Sequence, residues 1–193
     1  MPRPLVPDRR ARILDAAERM VLAEGFDTMS VAAIARVAGI GKGAVYLEFA
    51  AKRDILDALL QRGTARITDA VARTAGPQPS LSALYRATAT ALLDDELMTA
   101  AFLDDAGVLG AHVATQPTSR YRTRHERVVT GIRDLQRQGR IVPDVEPEAL
   151  ALVLSSATLG LLSAARTLGP LDRGTLKSAI DTVGRMAASF ETE

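Results

Sequence analysis

Between Ser30 and Lys52 the chain reads SVAAIARVAGIGKGAVYLEFAAK, and few of its side chains are suited to meeting a partner. Ser30 offers a hydroxyl of the kind that starts a helix. Lys42 and Lys52 offer ammonium groups for an anion. Gly43 and Ala44 are small enough to let a surface approach the backbone, and Tyr46 carries a hydroxyl on a rigid ring. There is no nucleophile with a base beside it and no pair of carboxylates set for acid–base work. Cations, small residues and one phenol suit instead a polyanion whose edges carry hydrogen-bonding groups.

The apolar residues of the same stretch say how those groups are held. Val31, Ile34, Ala35 and Ala38 recur at helical spacing, which predicts a short helix from Val31 to Val37 begun by Ser30. Gly39 can take the left-handed conformation that stops it. A second short helix, about Lys42 to Glu48, turns Val45 and Phe49 inward. Two short helices around a glycine turn cross steeply and present the second one outward, and a protruding helix of this size fits the major groove of double-stranded DNA. Two other readings stand beside this one. Gly39-Ile40-Gly41-Lys42-Gly43 has a superficial likeness to a nucleotide phosphate loop, which needs a strand before it and a Ser or Thr after the lysine; here Gly43 follows. The pair could also be a helical hairpin without a nucleic-acid partner.

The rest of the chain reads as further helices. One is expected from Asp8, as its N-cap, to Glu24, with Ile13, Ala16, Ala17, Met20 and Val21 on its buried face. A longer one is expected from Lys52 to Ala75, broken by Gly76-Pro77-Gln78-Pro79. Others are expected at about 81–94, 96–109, 118–138, 148–168 and 172–190, with irregular chain at 110–117 and a loop at 141–145. Hydrophobic residues make up 47% of the 193 residues and aromatics 4%, so the apolar mass is largely Ala and Leu, both strong helix formers. The fold class is therefore all-α, with about nine helices. A three-helix helix-turn-helix domain is expected over residues 1–52, and a larger helical domain over 53–193.

Charge and composition exclude several classes. The net charge is +1, but Arg3, Arg9, Arg10 and Arg12 face only Asp8 near the N-terminus, a candidate basic arm for phosphates or a minor groove. A solvated terminus is the alternative. No cysteine is present, so disulfides and thiolate chemistry are absent. His112 and His125 make no metal-ligand spacing, and no nucleophile elbow occurs. No catalytic residue, metal or cofactor is expected, and the chain is read as not an enzyme. MPRPLVPDRR is no signal peptide. Ala149 to Ala165 is uncharged and at the short edge of membrane-spanning length; a helix buried on both sides is the preferred reading, with no membrane and a cytoplasmic location.

The stretch GFDTMSVAAIARVAGIGKGAVYLEFAAKRDIL resembles the DNA-binding signature of the TetR family of repressors. A Gly and an aromatic follow the first helix, a Ser starts the second, a Lys-Gly-x-x-Tyr pattern marks the recognition helix, and a Phe and a Lys lead into the fourth. The match runs from about Ile13 to Leu60. The resemblance implies that Ser30 caps its helix and touches a phosphate. It places Lys42, Gly43 and Ala44 at the groove and Tyr46 on a phosphate or base edge. It sets Lys52 on phosphate with help from the helix dipole. Four departures bear on these contacts. Ala44 stands where Thr is common, Gly41 where a Ser or Thr often caps the recognition helix, and Glu48 where a neutral residue is usual. Ala50-Ala51 replaces the usual turn-and-cap pair.

The family likeness further implies a homodimer on a near-palindromic operator and a small-molecule effector that releases a repressor. Candidate lining residues for an effector pocket are Tyr85, Met98, Phe102, Leu103, His112, Tyr121 and His125, a set that suits an apolar or amphipathic molecule; ordinary core packing is the alternative for each. Asp104-Asp105 is read as a solvated face rather than a cation site. The helix from Glu148 to Leu168, apolar nearly all round, and the last helix would pair with their copies through Ala157, Gly160, Leu161, Ala164, Val183 and Met186, the small residues permitting close approach. A protein-binding helical adaptor and an enzyme are the rival classes.

Overall fold

The computed structural model describes residues 8–110, 117–168 and 171–192. Ten helices lie among them: α1 (Arg9–Glu24), α2 (Val31–Ala38), α3 (Lys42–Tyr46), α4 (Lys52–Ala75), α5 (Leu81–Leu93), α6 (Glu96–Phe102), α7 (Ala106–Leu109), α8 (Pro117–Arg137), α9 (Pro147–Thr167) and α10 (Arg173–Ala188). No strand occurs among the described residues, and Ile141 pairs with Glu191 in an isolated antiparallel bridge. The chain is all-α, as its composition implies.

Three local expectations are corrected. The helix expected over 96–109 is two: the chain leaves α6 after Phe102 and Asp104 takes a φ of 49°. The Asp105 carboxylate then accepts from Gly107 N at 2.8 Å and Val108 N at 3.4 Å and starts α7. A short carboxylate competing for backbone N–H groups breaks the helix, so Asp105 serves as a cap and Asp104 as the left-handed residue before it. Asp8 occupies the position before α1, but with a φ of 59° and no side-chain cap bond. The missing cap at Ala51 is met from the other end: Asp54, in the first turn of α4, reaches back to accept from Ala51 N at 2.8 Å, one half of a capping box.

The chain divides into two packed units. The first holds the described residues of 1–64 and 96–115, the second those of 65–95 and 116–193. Against the sequence boundary at 52/53, the division falls later, inside α4, and α6–α7 pack with the first unit. In that unit Ile13, Ala17 and Val21 of α1, Ile34 of α2, Val45 of α3 and Ile55, Leu56 and Leu59 of α4 are buried together, with Leu97 and Leu109 completing the core. Gly25, after α1, has a φ of 79°, and a Cβ there would lie 2.5 Å from the Gly107 carbonyl oxygen. Phe26 N donates to Val108 O at 2.8 Å. Only glycine allows that approach.

In the second unit α10 packs on α5 and α9, and α8 on α9. Leu81, Tyr85, Ile132, Leu150, Ala151, Leu154 and Ile180 form its core. Helix α9, uncharged from Ala149 to Ala165, is not buried on both sides within the chain. Leu150, Ala151, Leu154, Thr158 and Leu162 are buried, whereas Leu152 and Val153 are 60% and 62% exposed and Leu159 is also exposed. By length and composition α9 is apolar enough to cross a membrane.

Candidate nucleic-acid interface

Ser30 starts α2 by the geometry its residue type implies: extended backbone, with its hydroxyl accepting from Ala33 N at 3.1 Å. The helix ends at Gly39, whose φ of 66° lets its N–H cap the carbonyls of Ala35 and Arg36. Arg12 of α1 finishes that end, donating to Ala38 O at 2.6 Å. Its guanidinium lies 2.9 Å from where a Cβ on Gly39 would sit. A cation on the last carbonyls of a helix is favourable for both hydrogen bonding and the dipole. Because the residues before Gly39 are helical and no strand precedes them, the phosphate-loop reading of Gly39–Gly43 is excluded.

Helix α3 is short and carried by one buried residue, Val45, with Phe49 buried just beyond it. Its outer surface is open. Gly41, Lys42 and Gly43 are exposed, and a Cβ on Gly41 or Gly43 would have no neighbour within 4 Å. Gly41 precedes α3 in an extended conformation with φ −72° and supplies no side-chain cap. Neither glycine is needed for a turn or for packing within the chain. Ala44 is half-buried. Tyr46 is 48% exposed, and Leu47 is also exposed. The Lys42 ammonium sits 5.9 Å from the Tyr46 ring centroid, at the outer limit of a cation–π contact.

Lys52, expected on a phosphate, is engaged inside the chain. Its ammonium donates to the carbonyls of Phe26 (2.9 Å), Asp27 (3.2 Å) and Met29 (3.1 Å) and lies 4.4 Å from the Phe26 ring centroid. An ammonium has three N–H donors, and three carbonyls take them. Lys52 therefore pins the loop between α1 and α2 to the start of α4. The candidate basic arm is corrected likewise. Arg9 donates through both Nε and its terminal nitrogen to Glu48 Oε1. Arg10 stacks 4.4 Å over the Phe49 ring, and Arg12 holds α2. Arg3 lies outside the described residues. Arg36 on α2 and Arg53 on α4, not singled out in the sequence, are exposed and have no hydrogen bond or ion pair among the described residues. Only burial and bonding separate them from Arg9, Arg12 and Lys52, so no sequence signal marked them.

The residues named for an effector pocket belong to both packed units. Met98, Phe102 and Leu103 are on or beside α6 in the first unit, while Tyr85 and His125 are in the second. His112 and the Tyr121 side chain lie outside the described residues. A cavity of about 10 Å³ in the second unit, room for one water, is lined by Ala89, Leu93, Thr158, Leu161, Leu162, Leu176 and Ile180, none of the seven. Tyr85 is buried nearby in the same core, and burial raises its hydroxyl pKa above the usual value while neighbouring Thr158 opposes the rise. Its hydroxyl makes no well-formed hydrogen bond, and Thr158 gives its own proton to Leu154 O at 3.0 Å. Of the residues named for dimer contact, Gly160 and Met186 are exposed, and Ala157, Leu161, Ala164 and Val183 are half-buried.

The model of the family described as bacterial regulatory proteins, tetR family, matches residues 13–59. The chain is 25% identical over 158 residues to the HTH-type transcriptional regulator UidR of Escherichia coli K12, covering 80% of each. It is 33% identical over 121 residues to the HTH-type transcriptional repressor KstR2 of Mycobacterium tuberculosis H37Rv, covering 60% of this chain and 58% of that one. A solved TetR-family regulator from Rhodococcus sp. has the same fold, with a TM-score of 0.74 at 18% identity over 95% of this chain and 100% of that one.

Proposed function

This chain is a DNA-binding transcriptional regulator of the TetR family, and on that premise we propose that it is a dimeric repressor that reads a near-palindromic operator through α3. TetR-family regulators bind operator DNA and act as dimers with small-molecule effectors, and its relatives are regulators rather than enzymes. The observation that carries the reading is the pair of idle glycines. Gly41 and Gly43 have ordinary backbone angles or open surroundings, so the bare surface they leave serves a partner that comes close. A groove floor and its phosphates need that clearance.

In this reading Lys42 and Tyr46 make the polar contacts, Gly43 and Ala44 lie against base edges, and Ser30 reaches a phosphate beside α2. Arg36 and Arg53 take the phosphate role first assigned to Lys52, and Lys52 acts by holding the loop. The first packed unit is the DNA reader. The outer face of α9, with Val183 and Met186 of α10, is covered by a second copy of the chain rather than by lipid. A two-fold pair sets its recognition helices about 34–36 Å apart, hence a two-fold operator. The effector is an apolar or amphipathic small molecule. It lowers operator affinity by favouring a state whose helix spacing does not fit DNA.

Selection of genomic fragments by the purified protein, at about 0.15 M salt with competitor DNA, tests the reading. One enriched near-palindromic site, lost in Tyr46→Ala, is the expected result. Absence of any enriched site would overturn it and favour the protein-binding adaptor.

A further inference from the structure

We infer that Glu48 and Arg9 form a clamp that sets the pose of the recognition helix, so that the carboxylate at the end of that helix supports DNA reading instead of opposing it. The inference rests on the DNA-reading role of α3. Glu48 follows α3 by two residues, where a lone carboxylate would repel phosphates. It is not alone. Arg9, 39 residues earlier and in the first turn of α1, donates two N–H groups to Glu48 Oε1. The two side chains are only 19% and 22% exposed, which sets the pair apart from an ordinary surface bridge. The adjacent Arg10 lies over the Phe49 ring and donates to the Glu48 carbonyl at 3.4 Å. Two successive arginines thus grip two successive residues.

The grip matters because α3 has little else to hold it. It is five residues long, has no side-chain cap at Gly41, and buries Val45 alone. A helix that short has little stability of its own, and its direction depends on what fixes its two ends. At the Ser30–Gly39 side the fixing groups are the Ser30 cap and Arg12. At the far end they are Arg9, Arg10 and buried Phe49. Arg9 is therefore a positioning residue for the DNA contact, and its charge is spent on Glu48 rather than on phosphate.

The sign of one substitution separates this from plain electrostatics. Glu48→Gln keeps the shape and removes a negative charge beside DNA. If charge alone acted, operator and non-specific DNA would both bind tighter. With a clamp, operator affinity falls about three- to tenfold, while affinity for non-specific DNA holds or rises. Arg9→Ala leaves the carboxylate unpaired and lowers operator affinity further. Adding Glu48→Gln to Arg9→Ala restores part of that loss, because the two positions are coupled. The experiment is a double-mutant cycle on these variants, reading operator Kd, non-specific Kd, the salt dependence of each and Tm. The expected result is the coupled pattern with Tm nearly unchanged in Glu48→Gln and the salt slope of Arg9→Ala undiminished. Tighter operator binding by Glu48→Gln, additive losses, or a salt slope reduced by about one in Arg9→Ala overturns the clamp alone. A wild-type protein that selects no operator overturns the DNA reading and the clamp together.

Discussion

The surface around α3 and the outer face of α9 are both exposed, and they are made of opposite materials. Around α3 most of the exposed residues are glycines, lysine, tyrosine and the arginines Arg36 and Arg53, with Leu47 and Val37 as the apolar exceptions. On α9 they are leucine and valine, continued by Met186 on α10. The first surface is wetted at little cost while it waits for an anionic partner. The second leaves apolar area in water until another apolar surface covers it, at roughly 25 cal/mol per Å². Next to α3, above buried Val45 and Phe49, neighbouring backbone is locked by cations placed on carbonyls, Arg12 on Ala38 at the end of α2 and Lys52 on Phe26, Asp27 and Met29 in the loop before it. Beneath α9 the support is leucine packing. A surface that must match a groove needs fixed geometry, whereas one that must exclude water needs area.

Substitutions break the contrast in order of size. Leu152→Glu with Val153→Glu puts two charges where apolar cover is needed. Self-association should weaken by about 100-fold or more, read by sedimentation velocity over a concentration series; unchanged association would remove α9 from the interface. Lys52→Met leaves three carbonyls without their donor. It should cost about 2–3 kcal/mol and lower Tm by about 5–10 °C while self-association persists. Gly25→Ala meets both a positive φ and the Gly107 carbonyl, for a loss of about 1–3 kcal/mol seen in denaturant unfolding; a neutral result would mean α7 gives way easily. Tyr46→Ala should leave Tm unchanged and cost about 1–2 kcal/mol of operator binding, and Lys42→Ala should lower the salt slope by about one. Ser30→Ala removes the α2 cap for about 1 kcal/mol of stability.

Much of this was legible in the sequence because it is local. The span of α4 is written in its apolar period and in the Gly76–Pro79 break, and Ser30 and Gly39 mark the ends of α2 by residue type. The helix-turn-helix followed from spacing over some twenty residues. What escaped depends on partners far along the chain. Nothing near Lys52 announces that its donors go to carbonyls at Phe26, Asp27 and Met29, and nothing near Arg9 announces Glu48. The split of 96–109 into α6 and α7 turned on whether Asp105 would prefer backbone N–H groups to solvent. The pocket residues were chosen by type, and type does not tell which packed unit a residue joins. The α9 reading was half legible: its apolar composition is plain, but the face left open appears only once α5, α8 and α10 are packed.

The most direct test of two surfaces with two partners is sedimentation of a labelled operator fragment with wild-type, Tyr46→Ala and Leu152→Glu/Val153→Glu proteins. The expected result is two chains per site for the wild type, a dimer that needs about 5- to 30-fold more protein to fill the operator for Tyr46→Ala, and a monomer with greatly weakened operator binding for the α9 variant. One chain filling a site, or an α9 variant that still sediments as a dimer on the operator, would contradict it.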